Sequence, residues 1–159
     1  MPLVISLQPL IFGISQLVTA LQIGVFFAIG LYKVRKPGSL LIMALMMGLI
    51  QLMMSPPMFL SGVLNGVLIE LIVLLLFRGY EKDAAVFVAA MLHTPLSLPF
   101  NYLYNRLVKG ADSPLAAVAD RAPLAAVGMT LAVVAVSALG ALIGIKIARE
   151  LKKSGVLKK

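Results

Sequence analysis

Five runs of apolar residues, each near the length that a helix needs to cross a bilayer, dominate this sequence. They lie at 9–32, 39–54, 57–77, 84–104 and 122–147. A membrane-spanning helix needs about 20 predominantly apolar residues, within a range of roughly 17–25. The sequence is 61% hydrophobic and only 13% charged, whereas soluble domains carry roughly 25% charged residues. The runs therefore predict an all-α, polytopic transmembrane helical bundle of five spans, with residues 1–159 forming a single domain.

The basic residues are distributed unevenly when successive connections are assigned to alternate sides of the membrane. One side receives eleven of the 14 lysines and arginines and the other receives three. The eleven are Lys33, Arg35, Lys36, Arg78, Lys82, Lys146, Arg149, Lys152, Lys153, Lys158 and Lys159. Because basic connections stay in the cytoplasm, the N-terminus is predicted outside and the C-terminus inside, in a multi-pass protein of the cell membrane. The net charge of +8 is then a matter of topology at a lipid bilayer, and no nucleic-acid partner is expected.

Proline and glycine mark the connections and one unusual span. Pro37-Gly38 and Ser55-Pro56-Pro57 are turn signals between successive runs. Pro95 and Pro99 fall inside the fourth run, where they predict an irregular backbone. Residues 108–121 are too polar to span, and we expect them to form a partial lid, with a short surface helix at 114–118.

Two stripes of small residues follow helical spacing and predict close helix packing. Ala20, Gly24 and Ala28 recur every fourth residue in the first run, and Gly140 and Gly144 do so in the last. Small residues let helix backbones approach each other in lipid. The stripes are compatible either with packing inside the chain or with docking onto a separate membrane subunit.

Polar side chains inside the apolar runs are candidate functional residues, because such groups are costly in a bilayer unless they are paired. Most are neutral hydrogen-bonding groups that fall toward the outer side. They predict a pocket for a small, polar, flat ligand, although bonds between helices alone could also explain them. The candidate substrate-binding residues are Gln16, Thr19, Gln51, Asn65, Glu70, His93, Asn101, Tyr102 and Asn105.

Glu70 is the one carboxylate well inside a span, and His93 falls at a comparable depth on the next helix. An ionised carboxylate at that depth needs a partner. Three interpretations remain open: a structural pair between Glu70 and His93, a ligand contact by Glu70, or a proton-coupling site.

Several classes of chemistry have no support in the sequence. There is no cysteine, so disulfides and thiolate metal sites are excluded. No zinc-type His-Glu spacing, no nucleophile with a nearby base and no glycine-rich phosphate loop is present. We therefore expect no catalytic residue, no metal, no cofactor and no enzyme activity, and any ATP-driven step needs a partner protein.

Three stretches resemble the substrate-binding S components of energy-coupling factor (ECF) vitamin transporters, and more closely the branch for thiamine or its hydroxymethylpyrimidine precursor. They are RKPG at 35–38, SGVLNGVLIE at 61–70, and LGALIG at 139–144 leading into a basic tail with SGVL at 154–157. The resemblance implies a membrane-embedded binder of a vitamin-like molecule, loaded from outside. It also implies a transmembrane T subunit and two ATPase subunits as partners, with Glu70 as a candidate for a ring nitrogen or amine. The small-residue stripes would provide the docking face.

Two features depart from that pattern. S components generally have six helices, so residues 1–16 would have to form a short extra one. The second helix carries Gln51 where the related branch often carries a glutamate. Two other functions stay open: a small structural or assembly subunit, and a solitary proton-coupled carrier that uses Glu70 and His93.

Overall fold

The computed structural model describes residues 14–53, 56–108, 110 and 122–156, and in this part of the chain the only regular elements are five helices. They are α1 (Ile14–Lys33), α2 (Ser39–Leu52), α3 (Pro56–Phe77), α4 (Asp83–Val108) and α5 (Pro123–Lys153). The predicted all-α bundle is confirmed. A sixth helix at 1–16, the lid at 108–121 and the surface helix at 114–118 fall wholly or mostly outside the described residues.

Four of the helices, α1, α3, α4 and α5, are long and apolar enough to cross a membrane. The 14 residues of α2 give a length of about 21 Å, which is less than the hydrocarbon thickness of about 30 Å. Large apolar side chains on the outward faces are well exposed, including Met53 at 91%, Leu75 at 82% and Leu124 at 88%. In a bilayer these side chains face lipid, which needs no polar helix surface.

The helix α4 continues through both of its prolines, Pro95 and Pro99. A proline removes one backbone donor and crowds the carbonyl of the preceding turn. Despite this cost, the helix is not interrupted at either proline, so the predicted irregular backbone is not observed. The helix ends at Val108, four residues past the predicted end at 104.

The helices α1 and α5 pack against each other through their glycines. A Cβ added to Gly140 would lie 2.5 Å from the Leu21 carbonyl oxygen, and one added to Gly144 would lie 2.7 Å from the Val25 carbonyl oxygen. On the opposite helix, a Cβ at Gly24 would lie 3.0 Å from the Ser137 carbonyl oxygen. Such backbone-to-backbone contact is typical of helix pairs in lipid, where small residues allow dispersion contacts that larger ones prevent.

This packing corrects the predicted docking face. Ala20 and Ala28 are fully buried, and Gly24, Gly140 and Gly144 are buried as well. The two stripes pack against each other within the chain, so none of the five residues presents a surface to a partner subunit. Of the two interpretations that the spacing left open, internal packing is the one observed.

One end of the bundle gathers the basic connections and will be called the basic end. Asp83, the first residue of α4, bonds Arg35 of the α1–α2 connection at 2.5 Å and Arg149 of α5 at 2.6 Å. Arg35 also stacks over the Tyr32 ring, 3.9 Å from its centroid. These exposed or partly exposed ion pairs connect three segments, and solvent screening keeps the contribution of each pair small.

Candidate functional site

A cavity of about 210 Å³ lies between α1, α2, α3 and α4. It is formed by the first turns of α1 and α3, the last turn of α2 and the stretch 93–101 of α4. It therefore lies toward the end of the bundle opposite the basic end. Six of the nine predicted substrate-binding residues line it, namely Gln16, Thr19, Gln51, Asn65, His93 and Asn101. The other described lining residues are Ile23, Met58, Ser61, Gly62, Thr94 and Ser97.

Helical spacing explains why α4 contributes so much of this lining. His93, Ser97 and Asn101 are four residues apart, and side chains at that spacing share one face of a helix. On α3 the same spacing places Ser61 and Asn65 on one face. Each of these helices therefore turns a polar strip toward the cavity and apolar side chains toward its neighbours and the lipid.

Several hydroxyl groups at the cavity are bonded within their own helices. Ser61 donates to the Met58 carbonyl oxygen at 3.1 Å, and Ser97 donates to the Thr94 carbonyl oxygen at 2.6 Å. Back-bonding of this kind is common for serine in helices and satisfies the donor without a partner from another helix. The hydroxyl oxygens still have acceptor capacity facing the cavity.

Asn65 and His93 join α3 to α4 at the wall of the cavity. The Asn65 side-chain amide donates a hydrogen bond to the main-chain carbonyl oxygen of His93. The His93 ring packs on the Phe27 ring of α1, with the ring centroids 4.1 Å apart. Asn65 is 1% exposed and His93 is 9% exposed, so both side chains are buried.

Three polar atoms at the cavity are buried and have no hydrogen-bond partner within the described residues: Asn65 Oδ1, His93 Nε2 and Thr94 Oγ1. Buried polar groups in native proteins are nearly always bonded, so such exceptions are informative. Three of the exceptions belong to residues that line one cavity, so a molecule bound there that reaches these atoms would supply the missing partners.

Glu70 does not line this cavity. Its Oε1 accepts a hydrogen bond from the Gly38 amide at 2.7 Å, and its Oε2 accepts one from the Tyr80 hydroxyl at 2.8 Å. Gly38 holds a left-handed conformation, with φ of 86°, at the start of α2, and glycine adopts this region without strain. Glu70 therefore links the α1–α2 connection to the α3–α4 connection at the basic end.

Of the three interpretations that were open for Glu70, a structural pair with His93 is not observed. His93 is level with Asn65, whereas Glu70 follows Asn65 by five residues, or about 7.5 Å along the helix. The phenol of Tyr80 takes the place that the imidazole was expected to fill. Burial first, and then the hydrogen bond to Glu70, raise the pKa of Tyr80, so this phenol stays a donor at physiological pH.

Tyr102 and Asn105 also lie outside the described lining. The Asn105 amide donates to the Asn101 carbonyl oxygen at 2.7 Å, one turn back along α4. The Tyr102 hydroxyl accepts a hydrogen bond from Arg106. Both residues belong to the last turns of α4, beyond the cavity.

Six lining residues were not among the predicted substrate-binding residues: Ile23, Met58, Ser61, Gly62, Thr94 and Ser97. The available signal was spacing, because Ser97 lies midway between His93 and Asn101 and Ser61 lies one turn before Asn65. Serine carries a short polar side chain that is common in membrane helices, and residue type alone did not distinguish it.

The comparisons with known proteins agree with the membrane architecture. No curated protein and no solved structure matches the chain. A family model described as a hypothetical bacterial integral membrane protein (Trep_Strep) matches residues 1–153, which is nearly the whole sequence. The protein therefore belongs to the Trep_Strep family of hypothetical bacterial integral membrane proteins, and it is a multi-pass protein of the cell membrane.

Proposed function

We propose that this protein is the substrate-binding S subunit of an ECF-type importer, and that it captures a vitamin or vitamin precursor from outside the cell. The proposal rests mainly on the polar cavity that α1, α2, α3 and α4 enclose. Its lining combines amide, hydroxyl and imidazole groups with the apolar side chains of Ile23 and Met58. Nine of the twelve described lining residues have polar side chains, and converging polar groups orient a ligand in a protein site.

The location of the cavity supports capture from outside. The cavity lies away from the basic end, and the positive-inside rule assigns the basic end to the cytoplasm. Gln16, Gln51 and Asn101 are then near the outer surface, where a solute from the medium has the shortest path.

The size of the cavity supports a small ligand. Pockets for drug-sized molecules have volumes of roughly 300–1,000 Å³, and this cavity of about 210 Å³ is smaller. A pyrimidine precursor of thiamine, which the sequence resemblance suggests, is compatible with that size.

The energy source must come from partner proteins under this proposal. The sequence contains no phosphate-binding loop of the nucleotide-binding kind, so we propose a T subunit and two ATPase subunits as partners. Because the small-residue stripes are internal, the partner contact has to use other surfaces of the chain.

The two alternative functions have less support. A solitary proton-coupled carrier was based on joint action of Glu70 and His93, but Glu70 bonds Tyr80 and Gly38 instead. A purely structural subunit needs its intramembrane polar groups bonded to one another, whereas three of those around the cavity have no partner among the described residues.

The experiment is affinity purification of the tagged chain from membranes of its bacterial host in a mild detergent. We expect a second integral membrane protein and ATPase subunits to co-purify. The matched variant Asn65→Leu should bring down the same proteins, because Asn65 is buried at the cavity and contacts no outer surface. Recovery of the chain without any ATPase would contradict the proposal of an ECF subunit.

A further inference from the structure

The unpartnered atoms at the cavity define what a ligand must offer. Asn65, Thr94 and His93 are 1%, 3% and 9% exposed, and each contributes one buried atom without a partner in the described part of the chain. Leaving such atoms unsatisfied costs free energy, and a bound molecule that pairs them recovers it. Ligand chemistry can therefore be inferred from the hydrogen-bonding capacity of these three side chains.

Asn65 fixes the first requirement. A main-chain carbonyl oxygen can only accept, so the amide nitrogen of Asn65 must face the His93 carbonyl with which it bonds. The Oδ1 atom is then the end that remains, and an amide oxygen can only accept. A ligand group that binds it must be a donor, such as the N–H of an amide, a lactam or an amino-substituted ring.

Thr94 and His93 fix the second requirement. They are neighbours in the chain, and both line the same cavity. The threonine hydroxyl can donate as well as accept, and a neutral imidazole has one donor and one acceptor nitrogen. The Thr94 hydroxyl, and His93 Nε2 in its N–H tautomer, can both donate to a ligand acceptor that lies close to the ligand's N–H donor.

Charge fixes the third requirement. None of the described residues that line the cavity is aspartate, glutamate, lysine or arginine. A charged group inside a membrane needs an opposite charge or many hydrogen bonds to offset the loss of water. The carboxylate nearest along α3, Glu70, is engaged by Tyr80 and Gly38.

We propose that the cavity selects a small uncharged molecule with adjacent hydrogen-bond donor and acceptor groups, whose N–H binds Asn65 Oδ1 and whose acceptor binds at Thr94 and His93. This inference rests on the proposed binding function and specifies its substrate class. Amides, lactams and amino-substituted nitrogen heterocycles belong to that class, whereas carboxylates and quaternary cations do not.

The experiment is a thermal-shift screen of the purified full-length protein in detergent, because a ligand that binds only the folded state raises the melting temperature. The panel contains neutral amides and amino-heterocycles, each matched with an anion and a cation of the same ring. One such set is nicotinamide with nicotinate and 1-methylnicotinamide. Wild type, Asn65→Leu and Thr94→Val are compared, with Ser137→Ala as control, since Ser137 is equally buried and unpartnered but does not line the cavity.

We expect stabilisation by neutral members only, with affinity reduced about tenfold or more in Asn65→Leu and Thr94→Val and unchanged in Ser137→Ala. Stabilisation by an ion of a matched set would overturn the inference and leave the proposed binding function standing. Neutral ligands that bind all four proteins equally would also overturn the inference and leave the proposed binding function standing. No stabilisation by any member would count against the binding function itself, and therefore against both.

Discussion

The side-chain amide of Asn65 on α3 donates a hydrogen bond to the main-chain carbonyl oxygen of His93 on α4. This single bond links two helices of the bundle at the cavity wall and orients the amide so that Oδ1 is left without a partner among the described residues. One residue thereby serves the packing of the protein and provides an acceptor for a ligand. Because of this bond, Asn65 and His93 lie at the same level along the two helices.

Replacing Thr94 by valine should separate stability from binding. Valine has the same shape without the unpartnered hydroxyl, so the ligand-free protein should be unchanged or more stable by up to about 1 kcal/mol. Binding should weaken at the same time, because the ligand loses one hydrogen bond. Thermal melting with and without ligand measures both effects.

The control for this substitution is Ser137→Ala on α5. Its hydroxyl is also buried and unpartnered, so stability should respond similarly while binding stays the same. A loss of binding in Ser137→Ala equal to that in Thr94→Val would show that the cavity hydroxyl has no special role.

Replacing Gly140 by alanine should disrupt the contact of α1 with α5. The added Cβ would meet the Leu21 carbonyl oxygen at 2.5 Å, and backbone atoms on both sides limit relaxation. Overpacking of this kind costs about 1–3 kcal/mol, seen as a lower melting temperature in detergent.

Gly128 on the same helix provides the matched control. A Cβ there meets no atom within 4 Å, so Gly128→Ala should be neutral or stabilising by up to about 1 kcal/mol, the difference in helix propensity. Equal melting temperatures for the two variants would contradict the close packing of α1 on α5.

Replacing Glu70 by alanine should destabilise the protein without affecting ligand binding. The substitution leaves the Gly38 amide and the Tyr80 hydroxyl without their acceptor. The buried Tyr80 hydroxyl alone should cost about 1–3 kcal/mol. Glu150→Ala, which removes an exposed carboxylate paired with Lys153, should leave the melting temperature nearly unchanged. A Glu70→Ala protein with normal melting and no ligand binding would instead favour the direct ligand contact that the sequence suggested.

Replacing Asp83 by asparagine should weaken the basic end in a salt-dependent manner. Asp83 pairs with both Arg35 and Arg149, and such exposed pairs give a small stabilisation that is largest at low salt. The effect should shrink in 1 M salt, where charges are screened within about 3 Å. Unfolding measured at both salt concentrations checks this, and an identical loss at each would show that the carboxylate does not act through charge.

The fold was largely predictable because hydropathy and length suffice to recognise spanning helices. All five helices correspond to apolar runs, and the turn at Pro37-Gly38 ends where α2 begins. The effect of Pro95 and Pro99 was not predictable, because it depends on how the rest of the bundle accommodates α4.

The site was predictable only in part, because residue type indicates polarity but neither depth nor contact partner. The six predicted residues that line the cavity lie in spans whose polar faces converge. Glu70 was misassigned because its partner, Tyr80, follows the end of α3 and folds back to reach it. The small-residue stripes gave the correct faces, but spacing alone cannot tell whether the opposing surface is another helix of the same chain.

Native mass spectrometry of the purified protein, compared with a variant whose cavity is filled, tests whether this cavity holds a solute. Ser97→Phe places a large side chain among the lining residues, and its melting temperature establishes that the variant is folded. We predict one small molecule bound per chain in the wild type and none in the folded Ser97→Phe variant. An equal adduct in both proteins, or no adduct in the wild type across a vitamin panel, would contradict a ligand site at this cavity.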